Sequence, residues 1–264
     1  QDRGALGRAP VLMPMHFEDG FPIIGENGKV PEVVTVLDTG YQYAAINGSD
    51  DFFYKPDENG QITLKNFWEF NHQQMDDFWS VTENPGHLRL HSAKLSPTLF
   101  QAYNTLTQRT VGPKCAAEVT LRFAHMKNGD VAGISTFIGN YGFTGVKKEN
   151  DQFYLIMMGR PAKDTTVFGQ FEYENPGLEY ARVPIYGESI CLRAEADFTD
   201  KRDLSSFYYK EGDNWQKLGI DQPMYFKMDL FTGCRFGLFY YSTEQTGGYV
   251  DFSKFQFIWP EYVY

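Results

Sequence analysis

The sequence predicts an all-β protein, an antiparallel two-sheet sandwich, and three observations carry that expectation. Aromatic residues make up 17% of the chain, as 23 Phe, 17 Tyr and 4 Trp, and such rings fit the pleated, half-buried surface of a sheet. The 25 glycines and 13 prolines supply turns. Several segments alternate apolar and polar residues with a period of two. The 264 residues suit one large all-β domain or two ordinary ones, and can bury a sizeable core.

In chain order, residues 4–31 differ from the rest. Pro10, Pro14, Pro22 and Pro31, with a glycine every few residues, preclude a long helix. One short strand and a wandering loop are expected there, with little core of their own. From Ser49 onward the pattern becomes strand, turn, strand. Residues 97–110 carry Leu99, Tyr103 and Leu106 at near-helical spacing, but the β-branched Thr105, Thr107 and Thr110 favour loop and strand. Residues 118–124 place Val119, Leu121 and Phe123 on one face against Glu118, Thr120 and Arg122. Residues 189–198 repeat this, with Ile190, Leu192, Ala194 and Ala196 opposite Arg193 and Glu195. The continuous apolar runs at 153–158 and 235–241 read as interior strands. Glu211-Gly212-Asp213-Asn214 reads as a hairpin turn. Val250 and Phe252 share one parity, and Phe255, Phe257 and Trp259 the other, which predicts a bulge at Ser253 or Lys254. Such spacing implies roughly a dozen strands.

Charge excludes some functions. With 34 acidic and 24 basic residues the formal charge is −10 and no basic cluster interrupts it, which argues against nucleic acid or anionic lipid as partner. No apolar run approaches the ~20 residues of a membrane helix. The first residues lack an apolar targeting core, so any leader is expected to be removed already or to lie outside this sequence. Cys115, Cys191 and Cys234 form neither a CxxC pair nor a zinc pattern and read as small buried hydrophobes.

Catalytic motifs are lacking: there is no serine nucleophile elbow, HExxH, P-loop or dinucleotide fingerprint. His87 and His91 flank an alternating Leu88-Arg89-Leu90, so they read as strand residues rather than metal ligands. Asp50/Asp51, Asp76/Asp77, Asp130, Asp197/Asp200 and Asp251 are the carboxylates available for glycosidase chemistry, but adjacent acids usually mark turns, and no catalytic residue is assigned. First and last strands of sandwiches commonly lie side by side. That would bring Asp50 or Asp51 near Asp251, an oxygen-only set that suits Ca²⁺. The alternative is that these aspartates cap turns at strand ends, and the pattern alone favours the caps.

Several motifs resemble a known family. Phe67-Trp68-Glu69-Phe70-Asn71-His72, then Phe78-Trp79-Ser80-Val81-Thr82-Glu83-Asn84-Pro85-Gly86-His87-Leu88-Arg89-Leu90, resembles the opening of the C-terminal concanavalin-A-like β-sandwich of glycoside hydrolase family 43. Asn104-Thr105-Leu106-Thr107-Gln108-Arg109-Thr110, Gly129-Asp130-Val131-Ala132-Gly133, Tyr141-Gly142-Phe143, Phe231-Thr232-Gly233-Cys234-Arg235-Phe236-Gly237-Leu238-Phe239 and Gly248-Tyr249-Val250-Asp251-Phe252 follow in the family's order. The match runs over residues 49–257. Gly7-Arg8-Ala9-Pro10-Val11-Leu12 with Asp19-Gly20-Phe21-Pro22 resembles that family's exit from its catalytic domain. Cys234, Asn84 and His87 depart from the family pattern, at positions given no chemistry here.

The resemblance implies a concanavalin-A-like jelly roll over residues 32–264, preceded in 1–31 by the last strand and exit linker of a five-bladed catalytic β-propeller. The propeller's three acidic residues hydrolyse xylosides or arabinosides with inversion, and its blades are absent from this sequence. The chain is then an accessory domain of a β-xylosidase or α-L-arabinofuranosidase. Its implied partners are the catalytic propeller and a xylo- or arabino-oligosaccharide, in a bacterial periplasmic or extracellular setting. Phe231, opening the F-x-G-x-R-F motif, corresponds to an aromatic residue that reaches the propeller's sugar pocket. The resemblance also raises the Ca²⁺ reading for Asp51 and Asp251. A second hypothesis is an independent carbohydrate-binding module with an exposed aromatic platform.

Overall fold

The computed structural model describes residues 4–7, 10–160, 174–224 and 232–259. A hairpin of β1 (Met15–Glu18) and β2 (Phe21–Ile24) stands apart from two large antiparallel sheets. Next in the chain come β3 (Glu69–Asn71), β4 (Trp79–Ser80), β5 (Leu88–His91), β6 (Thr105–Arg109) and β7 (Lys114–Arg122). Then follow β8 (Asp130–Phe137), β9 (Gly142–Glu149), β10 (Gln152–Gly159), β11 (Leu178–Ile185) and β12 (Ser189–Asp197). The series ends with β13 (Leu204–Glu211), β14 (Asn214–Lys217), β15 (Gln222–Pro223), β16 (Arg235–Ser242) and β17 (Tyr249–Ile258). Among the described residues, one sheet has seven strands in the order β11-β10-β9-β8-β16-β6-β3. The other has eight, running β14-β13-β12-β7-β17-β5-β4, with β15 beside β13. The expected two-sheet sandwich is therefore the fold.

The difference between alternating and continuous apolar strands has a physical cause. The middle of the seven-stranded sheet is buried on both faces. Ala132, Ile134, Val146, Leu155, Phe236 and Leu238 point into the core between the sheets. Phe143, Ile156, Phe239 and Tyr241 form a second cluster on the opposite face, beneath Leu99, Phe100 and Tyr141. A strand buried on both faces reads as an apolar run, as β10 and β16 do. The eight-stranded sheet buries one face, so β7 and β12 alternate: Val119, Leu121, Leu192 and Ala194 are fully buried, while Glu118 and Arg193 pair on the outside.

Other expectations meet the structure directly. Residues 97–110 fold as loop, a short 3₁₀ turn (Leu99–Gln101) and β6. Gly212 and Asp213 close the β13–β14 hairpin. The register of β17 against β7 shifts between Ser253 and Gln256, and Lys254 takes a positive φ of 53°, so the bulge turns both Phe252 and Phe255 inward. The N-terminal segment needs a correction. It holds two paired strands rather than one, because Asp19 (φ 48°) and Gly20 (φ 82°) supply the two left-handed residues that a two-residue hairpin turn requires.

A buried carboxylate ties β8 to β16. Asp130 is fully buried and accepts hydrogen bonds from the Tyr240 hydroxyl (2.6 Å), the Ser242 hydroxyl and the Lys127 backbone N–H. Gly248 packs so close that a Cβ there would strike both the Tyr240 hydroxyl and the Asp130 carboxylate. Burial pushes the Asp130 carboxyl above its ordinary value, against the pull of its three donors. With the folded value above the unfolded one, the folded state binds the proton more tightly. Its contribution to stability is then fullest below about pH 4 and shrinks as pH rises through the raised value. Asp130→Ala, which strands those donors, is expected to cost about 1–3 kcal/mol in chemical denaturation. Asp130→Asn should remove the part of the pH dependence that falls from pH 4 upward.

Candidate functional site

The three aspartates considered for calcium serve two separate polar junctions. Asp50 is buried and pairs with Phe255 on β17 through both backbone hydrogen bonds, each 2.9 Å. Its carboxylate accepts from the Trp68 indole N–H (2.8 Å), the Phe52 backbone N–H (2.9 Å) and the Tyr54 hydroxyl, and the Lys65 ammonium lies 3.1 Å away. Burial, together with the bond to Asp50, pushes the Tyr54 phenol above its usual range, so it stays a donor. Asp51 points outward, where it accepts from the Phe53 N–H.

Asp251 lies beyond the bulge, opposite Arg89 and Arg122. Its two oxygens take the Arg89 guanidinium at 2.7 and 2.8 Å and the Asn84 amide at 2.9 Å. Arg89 also lies over the Tyr249 ring (4.2 Å), which stacks on His125 (4.3 Å). Burial would raise the Asp251 carboxyl, but Arg89 and Asn84 outweigh it and hold it below the usual range.

Asp50 and Asp251 do not converge on one oxygen-only set. Lys65 and Arg89 already supply the cations, the carboxylate oxygens are taken, and the bulge separates Asp50 from Asp251. Among the described residues no cluster of three or more acids, histidines or cysteines could hold a metal. Asn84, set aside in the sequence as carrying no chemistry, is in fact a direct partner of Asp251.

Phe231 lies outside the described residues. The residues that follow it are informative. Residues 4–7 run onto the sandwich there: Ala5 is fully buried in the main core, its C=O accepts from the Cys234 N–H (2.8 Å), and its N–H donates to Asp203 (3.1 Å). Gly7 and Gly233 abut backbone to backbone, and a Cβ on Gly233 would strike the Leu6 carbonyl. Beyond this clasp the chain leaves the sandwich. Val11, Leu12, Phe17, Phe21, Leu37 and Tyr43 are all exposed, Phe21 by 72% and Leu37 by 86%. A two-stranded hairpin cannot bury such side chains itself.

Next to the same loop, a cleft of about 310 Å³ opens on the outer face of the seven-stranded sheet. Glu69, Asn71 and His72 form one wall, Phe100 and Phe137 another, and Arg235 with Thr232 and Gly233 the end nearest the clasp. The Glu69 carboxylate is bonded by Arg235 and faces Arg109 at 3.6 Å. Burial would raise Glu69, but the two guanidiniums hold it below its ordinary value, so it is an anion. Nothing in the sequence marked this cleft, since its walls come from four distant segments. The anchor of the clasp, Ala5, has neither size nor charge to mark it.

A two-sheet jelly roll of this kind, with no catalytic acid pair identified in it, is a concanavalin-A-like module. The chain belongs to the family of β-xylosidase C-terminal concanavalin A-like domains, whose family model matches residues 57–258. A β-xylosidase of Formosa agariphila is 27% identical over 95% of this chain and 43% of its own length. Among solved structures, a bifunctional GH43-CE protein of Bacteroides eggerthii superimposes with a TM-score of 0.79 at 36% identity, covering 97% of this chain and 31% of that one. An engineered GH43 glycoside hydrolase, described as displaying both endo-xylanase and exo-arabinofuranosidase activity, gives 0.77 at 28% identity over 95% and 49%. The chain thus spans less than half the length of these relatives.

Two outcomes check the assignment of the aspartates. EDTA should leave the melting temperature unchanged, whereas Asp251→Ala, which leaves Arg89 without its main partner, should cost about 3 kcal/mol. Because the folded Asp251 carboxyl lies below its unfolded value, its contribution is present above about pH 4 and lost as pH falls further. Asp251→Asn should therefore flatten the acid limb of a melting-temperature profile.

Proposed function

We propose that this chain is the accessory sandwich of a family 43 glycoside hydrolase acting on β-xylosides or α-L-arabinofuranosides, and that it docks on the catalytic propeller of the same polypeptide. The observation that carries this reading is the clasp. Residues 4–7 are locked into the sandwich beside residues 232–234, while the chain that follows presents a run of exposed apolar side chains with no cover of its own. A propeller packed against that run would remove the apolar surface from water, at about 25 cal/mol per Å². Phe231, one residue from Thr232, would then be carried toward the pocket as a wall that positions the glycoside and excludes water. A wall of this kind acts by shape rather than by proton transfer.

The chain by itself is expected not to cleave aryl xylosides or aryl arabinofuranosides. Asp130 is committed to its buried hub, and Asp50 and Asp251 to their junctions, so none can serve as the acid or base that hydrolysis requires. In the complete enzyme, Phe231→Ala should lower kcat/KM by an amount equivalent to about 1–3 kcal/mol without moving the pH profile. An unchanged kcat/KM, or a shifted pH optimum, would sink the wall.

A further inference from the structure

We infer that the cleft between Asn71, His72, Phe100, Phe137 and Arg235 binds a short neutral pentose oligosaccharide. Its volume, about 310 Å³, lies at the lower end of the ~300–1,000 Å³ typical of small-ligand clefts. Its two walls differ in chemistry, as a sugar's two kinds of surface do. Phe137, half-buried and backed by the buried Phe100 ring 5.5 Å away, offers an apolar surface for the C–H face of a ring. The facing wall offers an amide, an imidazole and a guanidinium–carboxylate pair, groups that donate to and accept from hydroxyls.

Charge selects the ligand further. The Arg235–Glu69 pair, with Arg109 facing the same carboxylate, keeps guanidinium donors and a carboxylate acceptor together at the rim, a mixture that suits hydroxyls. The wall is also held in place. His72 sits at φ 71°, a left-handed conformation uncommon outside glycine, and its ring is hydrogen-bonded to the Phe100 carbonyl, which ties the polar wall to the aromatic one. β3, which carries Glu69 and Asn71, is the edge strand of its sheet, so no further strand among the described residues lies beyond them. The pentose class rests on the family reading, whereas the site rests on the cleft.

The test is calorimetric titration of the 264-residue chain with linear β-1,4-xylotriose, without any catalytic domain. Saturable binding is expected, weakened about tenfold by Asn71→Ala and by Phe137→Leu. The edge position of Asn71 should leave the melting temperature of its variant unchanged. Trp215→Ala, on the other sheet, should bind as the parent does. Absence of saturable binding at millimolar xylotriose would overturn the proposal, as would parental affinity in the two cleft variants. Either result would leave the docking reading standing, since no propeller takes part in the measurement.

Discussion

The sandwich closes at Asp50. There the first paired residue of the sandwich meets β17, and one carboxylate gathers an indole, a phenol, a backbone amide and an ammonium around it. The packing beneath is equally tight: Trp68 lies against both Phe52 (5.9 Å) and Phe255 (4.9 Å). Phe52 is held at φ 57°, a conformation that an L-residue with a large side chain adopts only when its surroundings compel it. β17 in turn sits between β5 and β7 in the middle of its sheet. Segments far apart in sequence must therefore find one another before either sheet is complete, and such non-local pairing makes for slow folding.

Against that constraint, the acidic side chains divide by what they hold. Asp50 and Asp130 are buried hubs whose donors are mostly neutral hydroxyls and N–H groups. Asp251 answers a guanidinium instead. Burial would raise both Asp130 and Asp251, and the partner decides the outcome: Asp130 is raised and Asp251 is lowered. A chain with ten more acidic than basic residues thus spends several of its carboxylates on fastening strands.

How much of this was legible in the sequence depends on range. The alternation in β7 and β12, the turn at Gly212 and the bulge near Lys254 are local, so the sequence shows them. Adjacency of the chain's two sandwich-forming ends was also foreseen, and Asp50 does bridge to β17. The identity of its partner was not, because a bulge displaces Asp251 from the junction and leaves Phe255 there. Whether an aspartate holds a metal or an arginine depends on what the fold places across from it. Arg89 and Asn84 are separated from Asp251 by 162 and 167 positions. The hairpin at Asp19-Gly20 differs, for its two-residue turn signal lies between Pro14 and Pro22, residues that argue against regular structure.

The clasp of residues 4–7 also bears on how such proteins can be recombined. By contact these residues belong to the sandwich, since Ala5 is part of its core, yet in sequence they precede the exposed hairpin and the long extended stretch up to Gly48. A splice placed in that stretch, where a linker would ordinarily invite one, would separate the sandwich from a piece of its own interior. Chimeras between relatives should therefore carry residues 4–7 and 232–234 from the same parent, because the backbone contact of Gly7 with Gly233 tolerates no side chain on either partner.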